Sequence, residues 1–330
     1  MKILVRLPNW LGDIMMSFPF LHALKQEFPE SKIMVIVKPQ YKDLMELLPF
    51  KVDVFEYDKK KDGSLPHDIH KYCVNQKLLF NIDLYFCLPP SFSSAFMGQA
   101  FRAKNRIGFK GEWRSFLLTH KKEVPKNLHR HEEYLELLKL YLNRDFPIPQ
   151  KIISRSFEPY FQDSPEPYTV INVNSEASSR RLPTEKWVEL LSLFQNKKFI
   201  FIGMEKDHER VQEVIDKLPP GRNSYMNLAG KTSVLELAQI LAHSQGLMSN
   251  DSGPAHLASY LGTSVVVFFG AGDPSNTAPT YSRGSTLIVK QDLSCSPCLK
   301  NECPLKSLDC LRLLPMNVKH EEIQHFLYLE

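Results

Sequence analysis

Apolar residues recur along this chain in two alternating rhythms. Short continuous runs at Lys2–Leu7, Lys32–Val37, Val52–Phe55, Asn81–Cys87 and Arg106–Phe109 read as strands covered on both faces. Between the first two, Ile14–Phe28 places Phe18, Leu21, Leu24 and Phe28 at three- and four-residue steps, a helix that Pro19 is set to kink. Glu132–Leu142 is a helix of leucines and acids. The second half repeats the alternation, with strands at Tyr168–Val173 and Lys198–Gly203 and helices at Thr184–Phe194, Asp207–Lys217 and Val234–His243. The apolar run Gly246–Ser249 then stops at Asn250-Asp251-Ser252-Gly253, and Pro254 suits a first helical turn. His256, Leu257, Tyr260 and Leu261 follow at helical spacing, Gly262 can close the helix, and Thr263–Phe269 reads as one more buried strand. Such alternation predicts an α/β fold of parallel sheets with helices on both faces.

The pattern fails between Phe146 and Pro167, which is rich in proline and aperiodic. The chain therefore divides into a first domain at 1–150, a linker at 151–167, a second domain at 168–315 and a final segment at 316–330. The helix in that last segment, from about Lys319 to Leu329, is expected to pack back on the first domain. Two such sheets in tandem predict a small-ligand cleft between them.

Composition narrows the class. The 43% hydrophobic and 24% charged content over 330 residues is that of a soluble globular protein. A net charge of +4 allows an acidic partner but lacks the footprint of a general nucleic-acid binder. No window approaches the roughly 18 apolar residues of a spanning helix, and the first apolar run meets Pro8-Asn9 too soon for a signal peptide. A cytoplasmic location follows as the expectation. Six cysteines in so long a chain do not suggest a secreted disulfide scaffold.

Candidate chemistry lies where strands end. The Asp251-Ser252-Gly253 turn would leave a helix N-terminus, with its N–H groups and partial positive charge, open to a phosphate. Ser175–Pro183, SEASSRRLP, offers small hydroxyls with Arg180 and Arg181, which suit a diphosphate. In Gly203–Arg210, Glu205 or Asp207 could accept from ribose hydroxyls. Pro8–Asp13, PNWLGD, puts Asp13 at a helix start, as a plain cap or as a general base. Arg102 to Arg130 is a basic stretch with Trp113 and Phe116 interleaved, either a solvated loop or a site for an anionic partner. Cys295, Cys298, Cys303 and Cys310 form C-x2-C-x4-C-x6-C, for which a structural zinc, disulfides and free thiols all stay open. Cys73 and Cys87 read as packing residues.

Together these blocks resemble the lipopolysaccharide heptosyltransferases, glycosyltransferase family nine. The resemblance spans essentially the whole chain and is most specific at Gly12-Asp13, Arg180-Arg181-Leu182-Pro183, Gly203 with Lys206-Asp207-His208-Glu209, and Asn250 through His256. It implies a GT-B fold, two Rossmann-like domains facing across a cleft, with the acceptor on the first and ADP-heptose on the second. It makes Asp13 the base for an inverting transfer and Arg180 the cation on the departing diphosphate, where the family usually has lysine. Ser175, Glu176, Asp251, Ser252, Gly253 and His256 become phosphate and sugar contacts, and Asp207 the ribose acid. Asn9, Gly12, Arg102, Arg106 and Arg114 are the acceptor-side candidates. Leu182 stands where a tryptophan is frequent. The resemblance further implies a lipid-anchored inner-core acceptor, peripheral attachment at the cytoplasmic face of the inner membrane, no nucleic acid and no cofactor required for the chemistry. The alternatives are another nucleotide-sugar donor, or a non-catalytic module that binds nucleotide sugar or anionic lipid.

Overall fold

The computed structural model describes residues 1–76, 81–111, 113–145, 157–162, 166–280 and 285–328. The chain divides into two compact units, Met1–Arg155 and Ser156–Glu330. Of the expected linker, 151–156 and 163–165 lie outside the described residues, as do 146–150 at the end of the expected first domain.

The first unit holds strands β1 (Lys2–Arg6), β2 (Lys32–Val37), β3 (Asp53–Glu56), β4 (Leu84–Cys87), β5 (Asn105–Phe109) and β6 (His120–Lys122), in the order β3-β2-β1-β4-β5-β6. The second holds β7 (Thr169–Asn172), β8 (Lys198–Phe201), β9 (Ser224–Asn227), β10 (Gly246–Asn250), β11 (Val265–Phe269) and β12 (Thr286–Lys290), in the order β12-β11-β10-β7-β8-β9. Every pairing is parallel. Counted from the first strand of each unit, both sheets read 3-2-1-4-5-6, the Rossmann arrangement. The winding reverses between β1 and β4 in one unit and between β7 and β10 in the other. Ligands of such sheets bind outside the carboxyl ends of those strands.

The strands at and next to the reversals are the best hidden. All of β4, β7, β10 and β11 is buried, as parallel strands covered by helices on both faces must be. The edges β6 and β9 alternate exposed and half-buried positions and carry no apolar run, so hydrophobic periodicity does not announce them. Local signals set the helix ends. Ser233 and Glu236 form a reciprocal capping box at Val234–Ala242, and Gly262, at φ 91°, closes Gly253–Leu261 in the left-handed conformation.

Two expectations change. The single helix over Ile14–Phe28 is two, Leu11–Met16 and Phe18–Glu27, broken at Ser17. Pro19 opens the second, where its missing N–H costs nothing, and Ser17 Oγ donates to Ile14 O at 2.7 Å to close the first. The final helix, Met316–Tyr328, belongs to the second unit and not the first. Met316, Ile323 and Leu327 join the core around Trp187, Leu190 and Phe199. Tyr328 hydrogen-bonds Thr169 on β7 at 2.5 Å, and the Lys197 ammonium lies 3.6 Å from the Tyr328 ring centroid.

Candidate active site

In the second unit, the turn leaving β10 and the loop leaving β7 are tied into one polar cradle. Asn172, at the end of β7, donates through Nδ2 to Ser249 Oγ at 2.9 Å and to Ser252 Oγ at 2.6 Å. Ser175 Oγ donates to Asp251 O at 3.2 Å, and Leu182 N donates to Asn250 Oδ1 at 2.9 Å. Ser252 is the N-cap of Gly253–Leu261 yet makes no side-chain cap bond. A helix start with an extended cap, Pro254 in its first turn and no side-chain plug is suited to an anion. Gly253 opens that turn, and His256 sits one turn further in, buried.

Arg180 and Arg181 divide the work. Arg181 donates through Nε to Ser175 O at 2.6 Å and through Nη2 to Glu176 O at 3.0 Å, so it shapes the loop. Arg180 is instead left facing Asp251. Its Nη1 lies 3.4 Å from Asp251 Oδ2, its side chain is 32% exposed, and its Nε has no hydrogen-bond partner among the described residues. Asp251 is 3% exposed, and burial, opposed by Arg180, pushes its carboxyl up to about 6. A Cβ at Gly272 would stand 2.1 Å from Asp251 Oδ2, so only glycine lets the carboxylate sit there. Asp251 is therefore a buried counter-charge to Arg180 and not an open contact at the helix end.

The remaining donor-side candidates spread around this centre. Glu176 is exposed and turned to Lys206, 2.7 Å from its Nζ, which offsets its charge. Asp207 accepts from Met204 N at 3.0 Å, capping the turn that follows β8. The sequence reading gives no role to Asn172 or Asn174, and names Lys206 and Asn250 only as parts of motifs. Asn174 Oδ1 and Asn250 Nδ2 are buried with no hydrogen-bond partner among the described residues, so each has bonding capacity in reserve. The signal available was their position at strand ends.

In the first unit, the loop leaving β1 is held by Arg6, only 3% exposed. Arg6 donates to Leu7 O at 2.8 Å, Ile36 O at 3.0 Å and Asn9 Oδ1 at 2.8 Å. Burial lowers its pKa despite the nearby tyrosines and Cys87. Asn9 thus fixes the loop. Gly12 and Asp13 follow, both half-buried, in the first turn of Leu11–Met16. The cap position is Trp10, so Asp13 is not the N-cap residue. Helix Arg130–Leu142 packs on that helix, and burial, opposed by Arg130 but aided by the Asp13 charge, raises the Glu133 carboxyl.

The basic stretch is not one surface. Arg114 is fully buried, against the expectation of an acceptor contact. Its guanidinium donates to Pro89 O at 2.6 Å and Ser91 O at 3.3 Å, which leaves nothing facing a ligand. Arg106 braces its own loop, donating to Leu117 O at 2.7 Å and Ala103 O at 2.8 Å. Arg102 is exposed before β5, at the opposite end of that strand from Phe109.

The four clustered cysteines line one pocket of about 200 Å³ beneath Ser179. All are free thiols, and among the described residues no three His, Cys, Asp or Glu are placed to hold a metal ion. The loop they occupy supports the Arg180 turn, because Ser179 N and Ser178 Oγ both donate to Asn301 O at 3.2 Å.

A model of glycosyltransferase family 9 (heptosyltransferase) matches residues 73–309. The chain belongs to that family. It is an enzyme of glycosyl transfer, and its two-sheet architecture is the GT-B fold. A lipooligosaccharide heptosyltransferase 2 of Campylobacter jejuni is 26% identical, with 98% of each chain covered. The lipopolysaccharide heptosyltransferase 2 of Salmonella typhimurium is likewise 26% identical, over 84% of this chain and 85% of its own. Among solved structures, a family 9 glycosyltransferase from Veillonella parvula superposes with a TM-score of 0.82 at 19% identity, covering 98% of this chain and 96% of its own. The ADP-heptose LPS heptosyltransferase II of E. coli gives 0.74 at 22% identity, covering 97% of this chain and all of its own.

Proposed function

We propose that this glycosyltransferase moves heptose from ADP-heptose to the inner core of lipopolysaccharide, with inversion at the anomeric carbon. The carrying observation is the pairing of Arg180 with an unplugged helix start at the β7/β10 reversal. Breaking the bond between the anomeric carbon and the diphosphate oxygen leaves positive charge on the sugar and negative charge on ADP. A fixed guanidinium and helix N–H groups stabilise that leaving group without an obligatory metal. Asp13 takes the proton of the acceptor hydroxyl as that oxygen attacks opposite the departing diphosphate. Asp207 or its neighbours receive the ribose, and Ser175, Ser252, Gly253 and His256 line the phosphates and sugar. The full-length similarity to lipooligosaccharide heptosyltransferases supports the heptose and the lipid-borne acceptor. Among the described residues no helix is long and apolar enough to cross a membrane. The proposed lipid-anchored acceptor would itself bring the enzyme to the cytoplasmic face as a peripheral protein.

Calorimetry with ADP, UDP and GDP tests this. ADP should bind best, and Arg180→Ala should weaken it roughly tenfold to a hundredfold, the loss of a charge-assisted hydrogen bond worth about 1.5–3 kcal/mol. Preference for UDP or GDP would keep the fold and change the donor. No nucleotide binding at all would end the proposal.

A further inference from the structure

Between β5 and β6 the first unit exposes two aromatic side chains to an unusual degree, Trp113 at 86% and Phe116 at 70%. Phe92, 36% exposed, joins them, with ring centroids 6.4 Å from Phe116 and 6.2 Å from Phe96. Scattered exposed apolar residues mean little, but a contiguous aromatic edge marks a contact surface.

This edge is rigidly built. Arg114, between the two exposed aromatics, is fully buried and fastened to the carbonyls of Pro89 and Ser91 and to Cys87 Sγ at 3.4 Å. Leu117 is buried on its other side. With Arg114 and Leu117 turned in, Trp113 and Phe116 are turned out, and Trp113 takes a left-handed backbone conformation, φ 53°, to do so. A residue other than glycine is held there only when its surroundings over-determine it. Lys121 reaches over the loop, donating to Ser115 O at 2.9 Å, and has no acidic partner among the described residues. Lys110 lies at the end of β5, exposed beside Glu123.

We propose that Trp113, Phe116 and Phe92, with Lys121 and Lys110, form a docking edge for the surface of an anionic lipid bilayer. Tryptophan and phenylalanine suit the boundary between headgroups and acyl chains, and lysines beside them are drawn to anionic headgroups. Position supports that occupant. Pro89 and Ser91, which hold Arg114, follow β4, and β4 pairs with β1, whose outgoing loop carries Asp13. The edge therefore stands at the same end of the sheet as the candidate base. The choice of occupant rests on the proposed lipid-borne acceptor, since an enzyme acting on a lipid-anchored sugar must hold that end against the membrane.

The test is sedimentation of the full chain with vesicles of phosphatidylethanolamine and phosphatidylglycerol, without nucleotide or acceptor, against phosphatidylcholine alone. The wild type should bind the anionic vesicles. A Trp113→Ser/Phe116→Ser double variant should bind at least about tenfold more weakly, as expected when two aromatic side chains no longer enter the interface. Lys121→Gln should lose part of the preference for anionic lipid. Both variants alter exposed side chains, and unchanged thermal unfolding and ADP affinity would show the rest of the enzyme intact. Equal vesicle binding by wild type and double variant would overturn the proposal. So would a matching rise in KM for a delipidated acceptor, which would make the edge a sugar platform. Vesicle binding that persists in a protein without nucleotide affinity would instead sink the functional reading and leave the docking edge standing.

Discussion

The two units share strand order, strand direction and the place where winding reverses, yet they equip that place oppositely. At the β7/β10 reversal the loops present a part-exposed cation and a helix start, with polar atoms unpartnered among the described residues buried behind them. At the β1/β4 reversal the buried cations, Arg6 and Arg114, are turned inward onto backbone carbonyls, and an acid, Asp13, lies in the outgoing turn. On the proposed function, one topology carries an anion site in one copy and a proton acceptor in the other. The fold fixes where chemistry can happen, and in the proposed reaction a few loop residues would decide which half each copy performs.

The largest effect should come from removing the acid. Asp13→Asn keeps the shape of the first turn and removes the proposed base, so kcat should fall about 10²–10⁴-fold with ADP affinity unchanged. Steady-state kinetics beside calorimetry reads both. A variant with wild-type turnover, or one that loses ADP binding in step, would dissolve the division between the two reversals.

Next is the buried carboxylate of the other unit. The Asp251 carboxyl rises from an ordinary 3.8 to about 6, chiefly by burial. A raised carboxyl pKa means that the folded state holds the proton more tightly than the unfolded chain. The cost of burying the charge is thus absent below about pH 4, grows through the window to pH 6 and is complete above it. The shift corresponds to about 3 kcal/mol at neutral pH. Relative to Asp251→Asn, the wild type should lose about that much stability between pH 4 and 7 in denaturant titrations. A difference independent of pH would mean that the carboxyl titrates in the folded state as it does in the unfolded chain, with Arg180 offsetting the whole cost of burial.

Arg114 sharpens the contrast from the first unit. Arg114→Met keeps the length but strands the carbonyls of Pro89 and Ser91, at about 1–3 kcal/mol. Thermal unfolding should register a loss of several degrees, with ADP affinity untouched. An Arg114→Met variant as stable as wild type would show that the guanidinium is not a structural tie.

Much of this organisation was legible in the sequence because it rests on local chemistry. The break at Asn250–Gly253, the closing glycine at Gly262 and the paired arginines each announce a turn, a cap or a charge within a few residues. Other features depend on distant partners. Nothing near Arg114 in sequence says that its acceptors lie at Pro89 and Ser91, so its charge read as surface. Asn172 and Asn174 look like ordinary strand-end polar residues until β10 is laid beside β7. The Met316–Tyr328 helix has the right periodicity, but which core it joins is set by Thr169, Phe194 and Lys197, far back in the chain. Edge strands escape for a different reason, since half their surface faces solvent and their composition follows.

The smallest expected effect asks how far the anion site depends on the loop beneath it. Backbone N–H groups at Leu308, Leu305, Ser307 and Lys306 lower the Cys303 thiol pKa, whereas burial and the neighbouring thiols raise Cys310. Burial also raises Cys73 and Cys87 in the first unit. The thiolate is the nucleophile, so iodoacetamide should label Cys303 before Cys310 and spare Cys73 and Cys87, as peptide mass mapping would report. The labelled loop carries Asn301, on which Ser178 and Ser179 rest, and those residues set the turn that carries Arg180. Distorting it should weaken ADP by a few-fold, in keeping with an indirect contact worth about 1 kcal/mol. Unaltered ADP affinity after complete labelling would show that the cradle between β7 and β10 holds Arg180 without help. The asymmetry between the two reversals would then reside in the strand-end residues alone.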